Sequence, residues 1–258
     1  MPGRIDPDSQ RLILAPNLKW GSYDIKEVIE KKMRLQVELM NAANASLLAE
    51  LWSGKLDGIR NAVLITVSEG IGAAILANGQ IITSRSGLAG EFGHSPIDPA
   101  GPRCGCGQRG CWEVFASSNA ALRYYAELRP KAPAANIHEL LRMAEEEDSA
   151  AIEAVSRQAT CLGRGLRLIT AALAPEVILI AGDITTSWAR FGPRIQAELE
   201  STMLAGKAPQ LGVTSDGELA RLRGAAAVVL QRHSGYQRMR LEAAKKSKSK
   251  RPARSSRA

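Results

Sequence analysis

Short apolar blocks alternate along this chain with longer stretches of helical spacing. Residues 11–15 (Arg-Leu-Ile-Leu-Ala) form a brief apolar run stopped by Pro16 and read as a buried strand. Asp24 stands where it can cap a helix, because Ile25, Val28, Ile29 and Met33 behind it share one helical face. Leu35–Leu39 reads as another strand, ending at a corner at Asn41. From Asn44, helical spacing resumes through Leu47, Leu48, Leu51 and Trp52, with Gly54 at the C-terminal stop. Two apolar runs follow, Ala62–Val67 and Ala73–Leu76, on either side of Gly70-Ile71-Gly72. Asn78-Gly79 is a tight-turn dipeptide, so Ala73–Leu76 and Gln80–Ser84 should pair as a hairpin.

Helical patterns dominate the second half. Ser117 or Ser118 opens a helix through Leu122 and Tyr125, which Pro130 and Pro133 break. Further helical patterns fill about 136–147 and 149–173, the second holding Cys161 as a packed thiol. Val177–Ile180 is a buried strand that delivers Ala181-Gly182-Asp183 to its carboxyl end, where α/β sheets bind ligands. A helix over about 187–203, a short strand near Gln210–Thr214 and a closing helix over about 217–232 complete the pattern. His138 and His233 have no neighbours of matching chemistry and read as surface histidines.

Composition narrows the class. Apolar residues at 45% and charged residues at 23% are those of a globular chain, and 258 residues can bury a substantial core in one large or two small domains. No run of 18 uninterrupted apolar residues occurs, so no membrane span is expected. The first residues lack the apolar core of a signal peptide, which points to the cytoplasm. The net charge of +8 is local: ten basic residues and one acid, Glu242, follow position 231, so that segment carries +9 and residues 1–231 carry −1. Residues 233–258 read as a solvated, disordered basic tail, with loose, salt-dependent contact to nucleic acid as the alternative.

The chemistry concentrates in residues 91–113. Cys104, Cys106 and Cys111 fall within eight residues, and His94 stands ten before the first of them. Three thiols and an imidazole make a common set for a closed, tetrahedral structural zinc site. A disulfide is the competing reading, but three crowded thiols beside a histidine suit a metal better. Glu91 and Glu113 bracket the loop. Held beside an oriented imidazole, paired carboxylates suit a polyhydroxylated ligand, since each can accept two hydroxyl protons. The plainer reading has Glu113 favouring the first turn of a helix near Ala116 and Glu91 solvated.

Gly90-Glu91-Phe92-Gly93-His94, followed by Cys104-Gly-Cys-Gly-Gln-Arg-Gly-Cys111-Trp-Glu113, resembles the signature of the ROK family of repressors, unassigned frames and sugar kinases. Ala15-Pro16-Asn17-Leu18-Lys19-Trp20, Asn41-Ala42-Ala43-Asn44, Gly70-Ile71-Gly72 and Pro175 through Gly182 occur in the family's order, and the resemblance covers about residues 2–232. It implies an α/β, actin-like (ribonuclease H-like) ATPase-type fold of two lobes with a sugar cleft between them. Here the first lobe would be incomplete: a remnant at 1–43, a second lobe at 44–216 with the zinc loop, and a closing helix at 217–232 packing on the first lobe. The resemblance assigns structural Zn²⁺ to His94, Cys104, Cys106 and Cys111, and sugar hydroxyls to Asn41, Glu91, His94 and Glu113. The partners it implies are a sugar or sugar-derivative effector and a second copy in a homodimer.

Four departures argue against phosphoryl transfer. The kinase base, an Asp, would stand at Ala42, which cannot accept a proton. The Gly-Thr-Gly that faces nucleotide phosphates is replaced by Ser68-Glu69-Gly70, and Asp183 replaces a glycine that faces adenosine. The family's first phosphate loop and the repressors' DNA-binding winged helix would both precede Pro2-Gly3. The reading favoured is a sugar-sensing regulatory module without kinase activity and without specific DNA binding of its own. An active sugar kinase and a fragment of a longer repressor are the alternatives.

Overall fold

The computed structural model describes residues 1–84, 86–201, 207–215 and 219–233, apart from the side chains of Asn17 and residues 231–233. The expected basic tail therefore lies almost wholly outside the described residues. The chain opens with two short antiparallel strands, β1 (Arg4–Ile5) and β2 (Leu12–Leu14), followed by α1 (Ile25–Met33) and α2 (Ala42–Trp52). Asp24 caps α1 by accepting from the Glu27 amide at 3.1 Å, yet none of that helix's residues is buried. The expected helix exists, but it stabilises little by packing.

Five strands build the main sheet: β3 (Ala62–Val67), β4 (Ile71–Ala77), β5 (Gln80–Ile81), β6 (Val177–Gly182) and β7 (Gln210–Val213), in the order β5-β4-β3-β6-β7. β3 runs parallel to β6, and β6 to β7, whereas β4 is antiparallel to both β3 and β5. Alternation along β3 sorts its side chains between two cores. Val63, Ile65 and Val67 join Ile178 and Ile180 beneath one helical layer, while Ala62 and Leu64 join Val177 and Leu179 against Leu47 and Leu51 of α2. Both faces are covered, which is why these strands read as unbroken apolar runs.

The larger layer holds α3 (Glu113–Ala116), α4 (Ser118–Leu128), α5 (Ile137–Glu145), α6 (Ser149–Leu173) and α7 (Trp188–Glu200); α8 (Leu219–His233) packs on α2. α6 is the axis of that layer. Asp148 caps its start, and Leu162, Leu166 and Ile169 are fully buried, each contributing roughly 1.5–3 kcal/mol by leaving water.

Three expectations needed correction. Leu35–Leu39 forms no strand: the Val37 amide donates to Glu30 Oε1 at 2.9 Å and the Leu39 amide to Gln10 Oε1 at 2.8 Å, so side chains supply what a neighbouring strand would have. α2 begins at Ala42 instead of Asn44, because Asn41 is itself the cap and accepts from the Ala43 amide at 2.8 Å. The hairpin forms at Asn78-Gly79, but its second strand is only Gln80–Ile81. Among the described residues, no helix is long and apolar enough to cross a membrane.

Glu176 fastens the amino ends of β3 and β6 by accepting from the amides of Arg60 at 3.0 Å and Asn61 at 2.9 Å. Those donors, Asn61 first, hold its carboxyl below the usual carboxylate range. A depressed pKa stabilises the fold above the unfolded value of about 4.3, and the gain is lost as pH falls through the folded value. Glu176→Gln should therefore lower the urea midpoint at neutral pH. The gap from the parent should close as pH falls through the depressed folded value. A gap independent of pH would remove the ionised clamp.

Candidate metal centre and carboxylate pair

The loop between β5 and α3 folds back on itself. Pro96 bridges to Cys111 and Arg103 to Arg109, while the Cys104 amide donates to Gln108 O at 2.8 Å and the Gly107 amide to Cys104 O at 3.0 Å. This knuckle turns three thiols inward. His94 ends a 3₁₀ turn over Glu91–His94 seated on the start of β4, where a Cβ on Gly93 would lie 2.3 Å from Ile71 O. Only glycine lets the turn lie that close.

The ligand atoms of His94, Cys104, Cys106 and Cys111 all lie within 4.8 Å of one another, a group able to hold a metal ion. Cys104 Sγ is 3.5 Å from His94 Nδ1, and Cys106 Sγ is 3.7 Å from Cys111 Sγ. Zinc bound tetrahedrally at about 2.3 Å to sulfur and 2.0–2.1 Å to nitrogen requires edges of about 3.6 and 3.8 Å. A disulfide would need about 2.05 Å, and all four cysteines are free thiols. The donor set fits zinc. Burial pushes the Cys104 and Cys111 thiols up, so a metal would bind there by displacing protons.

His94 lies between two carboxylates. Its Nε2 is 3.6 Å from Glu91 Oε2 and its Nδ1 is 3.4 Å from Glu113 Oε1. With Nδ1 turned to the thiols, Nε2 is the nitrogen left for another partner. Glu113 is the first residue of α3, not a neighbour of a helix starting at Ala116, and it is buried. It accepts from Cys104 Sγ at 2.9 Å and from the Ile71 amide at 3.4 Å, which ties the cysteine loop to the Gly70-Ile71-Gly72 turn. Burial, foremost, raises the pKa of Glu91; the charges of His94 and Arg4 act in the opposite direction.

Asn41 is differently placed from the other three. Besides capping α2, it donates from Nδ2 to Gly3 O at 3.0 Å, so both ends of its amide are engaged with backbone. One N–H and one lone pair remain available. Arg4 joins the site without any local motif to mark it. Its Nε is buried without a hydrogen-bond partner, and its charge acts on Glu91 across 87 positions of chain.

The departures are also located. Ala42 opens α2 and its amide donates to Met1 O at 2.9 Å; the side chains of Ser68 and Glu69 are exposed at the carboxyl end of β3. Asp183 accepts from Ser118 Oγ at 3.0 Å and lies 4.0 Å from His138 Nε2. His138, expected to be without a partner, thus has one supplied by the carboxyl end of β6. His233 has no described side chain.

The family model described as ROK family matches residues 1–232. The chain is 30% identical over 232 residues to the xylose repressor of Bacillus subtilis, covering 89% of this chain and 59% of that one. It spans only 59–60% of the length of that repressor, the corresponding Bacillus spizizenii repressor and a Halalkalibacterium halodurans glucokinase. Among solved structures, a ROK family glucokinase from Streptomyces griseus with glucose and AMPPNP superposes with TM-score 0.80 at 27% identity, over 88% of this chain and 78% of that one. A ROK family transcriptional regulator homologous to the Escherichia coli MLC protein gives TM-score 0.74 at 28% identity, over 88% and 60%. The α/β architecture is therefore that of ROK sugar kinase structures, of the actin-like ATPase type.

Proposed function

The chain belongs to the ROK family, and we propose that it is a sugar-binding regulatory module of that family, holding one structural zinc and transferring no phosphate. One observation carries the reading: His94 turns Nδ1 toward the thiols and Nε2 toward Glu91, with the Glu113 carboxylate on its other flank. In that arrangement zinc at His94, Cys104, Cys106 and Cys111 would hold the loop rigid. Glu91, His94 Nε2 and Glu113 would then meet the hydroxyls of one sugar, with Asn41 at the edge of the same site. The xylose repressor and the glucose-bound glucokinase among its relatives support a sugar as the ligand.

The glucokinase likeness favours a kinase as the second reading. Against it stand Ala42, which has no group to take a hydroxyl proton, and Glu69 and Asp183. A carboxylate a few ångströms from a triphosphate costs roughly 1–4 kcal/mol per charge pair in a partly wet site.

Calorimetric titration with hexoses and N-acetylated hexosamines tests the proposal. Losing one hydrogen bond to a charged group costs roughly 1.5–3 kcal/mol. Glu91→Gln and Glu113→Gln should each weaken binding about tenfold or more, with zinc content unchanged. If no sugar binds the folded, zinc-loaded chain at about millimolar concentration, the sensing function is lost as an explanation. Incubation with ATP and the same sugars should give no sugar phosphate above an enzyme-free control. Ala42→Asp should not restore turnover, since positioning and charge stabilisation supply most of phosphoryl transfer. Turnover by the unmodified chain would favour the kinase.

A further inference from the structure

A cavity of 370 Å³ opens over α6 on the side turned away from the sheet, walled by Phe115 of α3, Tyr124 of α4 and Arg194 of α7. It shares no residue with the metal group or with the carboxylate pair. Its floor is a stripe of α6 in which Glu153, Ser156, Arg157, Thr160, Cys161 and Arg164 recur at helical spacing. The volume falls within the range of small-molecule sites.

Arginines along an exposed helix face are ordinary. Here, however, three guanidinium groups line one concavity against a single carboxylate, Glu153. The acids that pair with two of them, Glu127 with Arg157 at 3.3 Å and Glu198 with Arg164 at 3.5 Å, stand outside the lining. Among the described residues no acid pairs with Arg194, whose Nε donates to Thr160 Oγ1 at 2.8 Å. That bond leaves the Thr160 hydroxyl proton free to donate. Arg157 lies 4.2 Å over the Tyr124 ring, which fixes its fork beside an aromatic surface. Planar, positioned guanidinium groups beside hydroxyl donors and aromatic walls match an anionic head on an apolar body.

We propose that this cavity is a second ligand site, for a small organic anion: a phosphate monoester or a carboxylate carried on a planar or apolar body. The site abuts the zinc loop. Tyr124 Oη donates to Phe115 O at 3.0 Å, Trp112 Nε1 donates to Cys161 O at 2.9 Å, and Gly101 of the loop packs on the Phe115 ring. A ligand there touches Phe115 of the four-residue helix that begins with Glu113.

The test is calorimetry on the full chain with phenyl phosphate, benzoate and inorganic phosphate at fixed ionic strength. Phenyl phosphate or benzoate should saturate at about one per chain, and which binds tighter identifies the anion. Inorganic phosphate, lacking the body, should bind about tenfold more weakly or worse. Arg194→Gln and Thr160→Val should each weaken the aromatic probe about tenfold or more, with near-ultraviolet circular dichroism unchanged. Failure of both aromatic probes to saturate, or unchanged affinity in both variants, would reduce the feature to a solvated helix face. A dimer whose dissociation constant rises with Arg194→Gln would instead give the groove to a second copy and overturn the proposal.

Discussion

Serine in place of Cys104 is expected to abolish stoichiometric metal and to destabilise the chain by several kcal/mol, in the roughly 4–5 kcal/mol class that single substitutions reach only by a few mechanisms, metal loss among them. The ligand free energy of a structural zinc is also folding free energy. Cys104 is buried within the knuckle, 3.5 Å from His94 Nδ1 and 2.9 Å from Glu113. Without the metal, a buried hydroxyl and two acceptor groups would have to find partners among themselves. The parent purified without chelator should carry about one zinc per chain by metal analysis. Denaturant midpoints of parent and variant give the energy. A parent with no bound metal, or a variant of equal stability, would count against the centre.

Gly165→Ala is expected to cost about 3 kcal/mol or to prevent folding, although alanine favours helix by about 1 kcal/mol over glycine. A Cβ built on Gly165 in the middle of α6 would lie 1.9 Å from Trp112 Cε2 and 2.1 Å from its Nε1. The indole cannot easily move: it is almost wholly buried, it donates to Cys161 O, and it adjoins Cys111. Overlap would therefore press directly on the cysteine loop. Gly21→Ala, which meets nothing within 4 Å, serves as the control. Thermal midpoints that match for the two variants would show that α6 and Trp112 do not pack as described.

The sequence alone determined those features whose cause is local. Cys104, Cys106 and Cys111 must share one loop because only seven positions of chain separate the first from the last, and their glycine-rich spacing lets the chain turn them together. The Asn78-Gly79 turn, the Asp24 cap, a serine cap at 117 or 118 (Ser117 in the structure) and the apolar runs of β3 and β6 were legible for the same reason: neighbours along the chain supply the hydrogen bonds or the burial pattern. Local pattern failed at Leu35–Leu39, where alternating apolar and polar residues resemble a strand but no strand lies beside them to accept their amides. The tertiary structure alone decided what meets across distance. Glu113 reaches the Ile71 amide, Arg4 acts on Glu91, Asp183 faces Ser118 and His138, and three arginines from α6 and α7 share one cavity. Spacing carries no record of such approaches, because they are set by how covered sheet faces and helix stripes pack to exclude water.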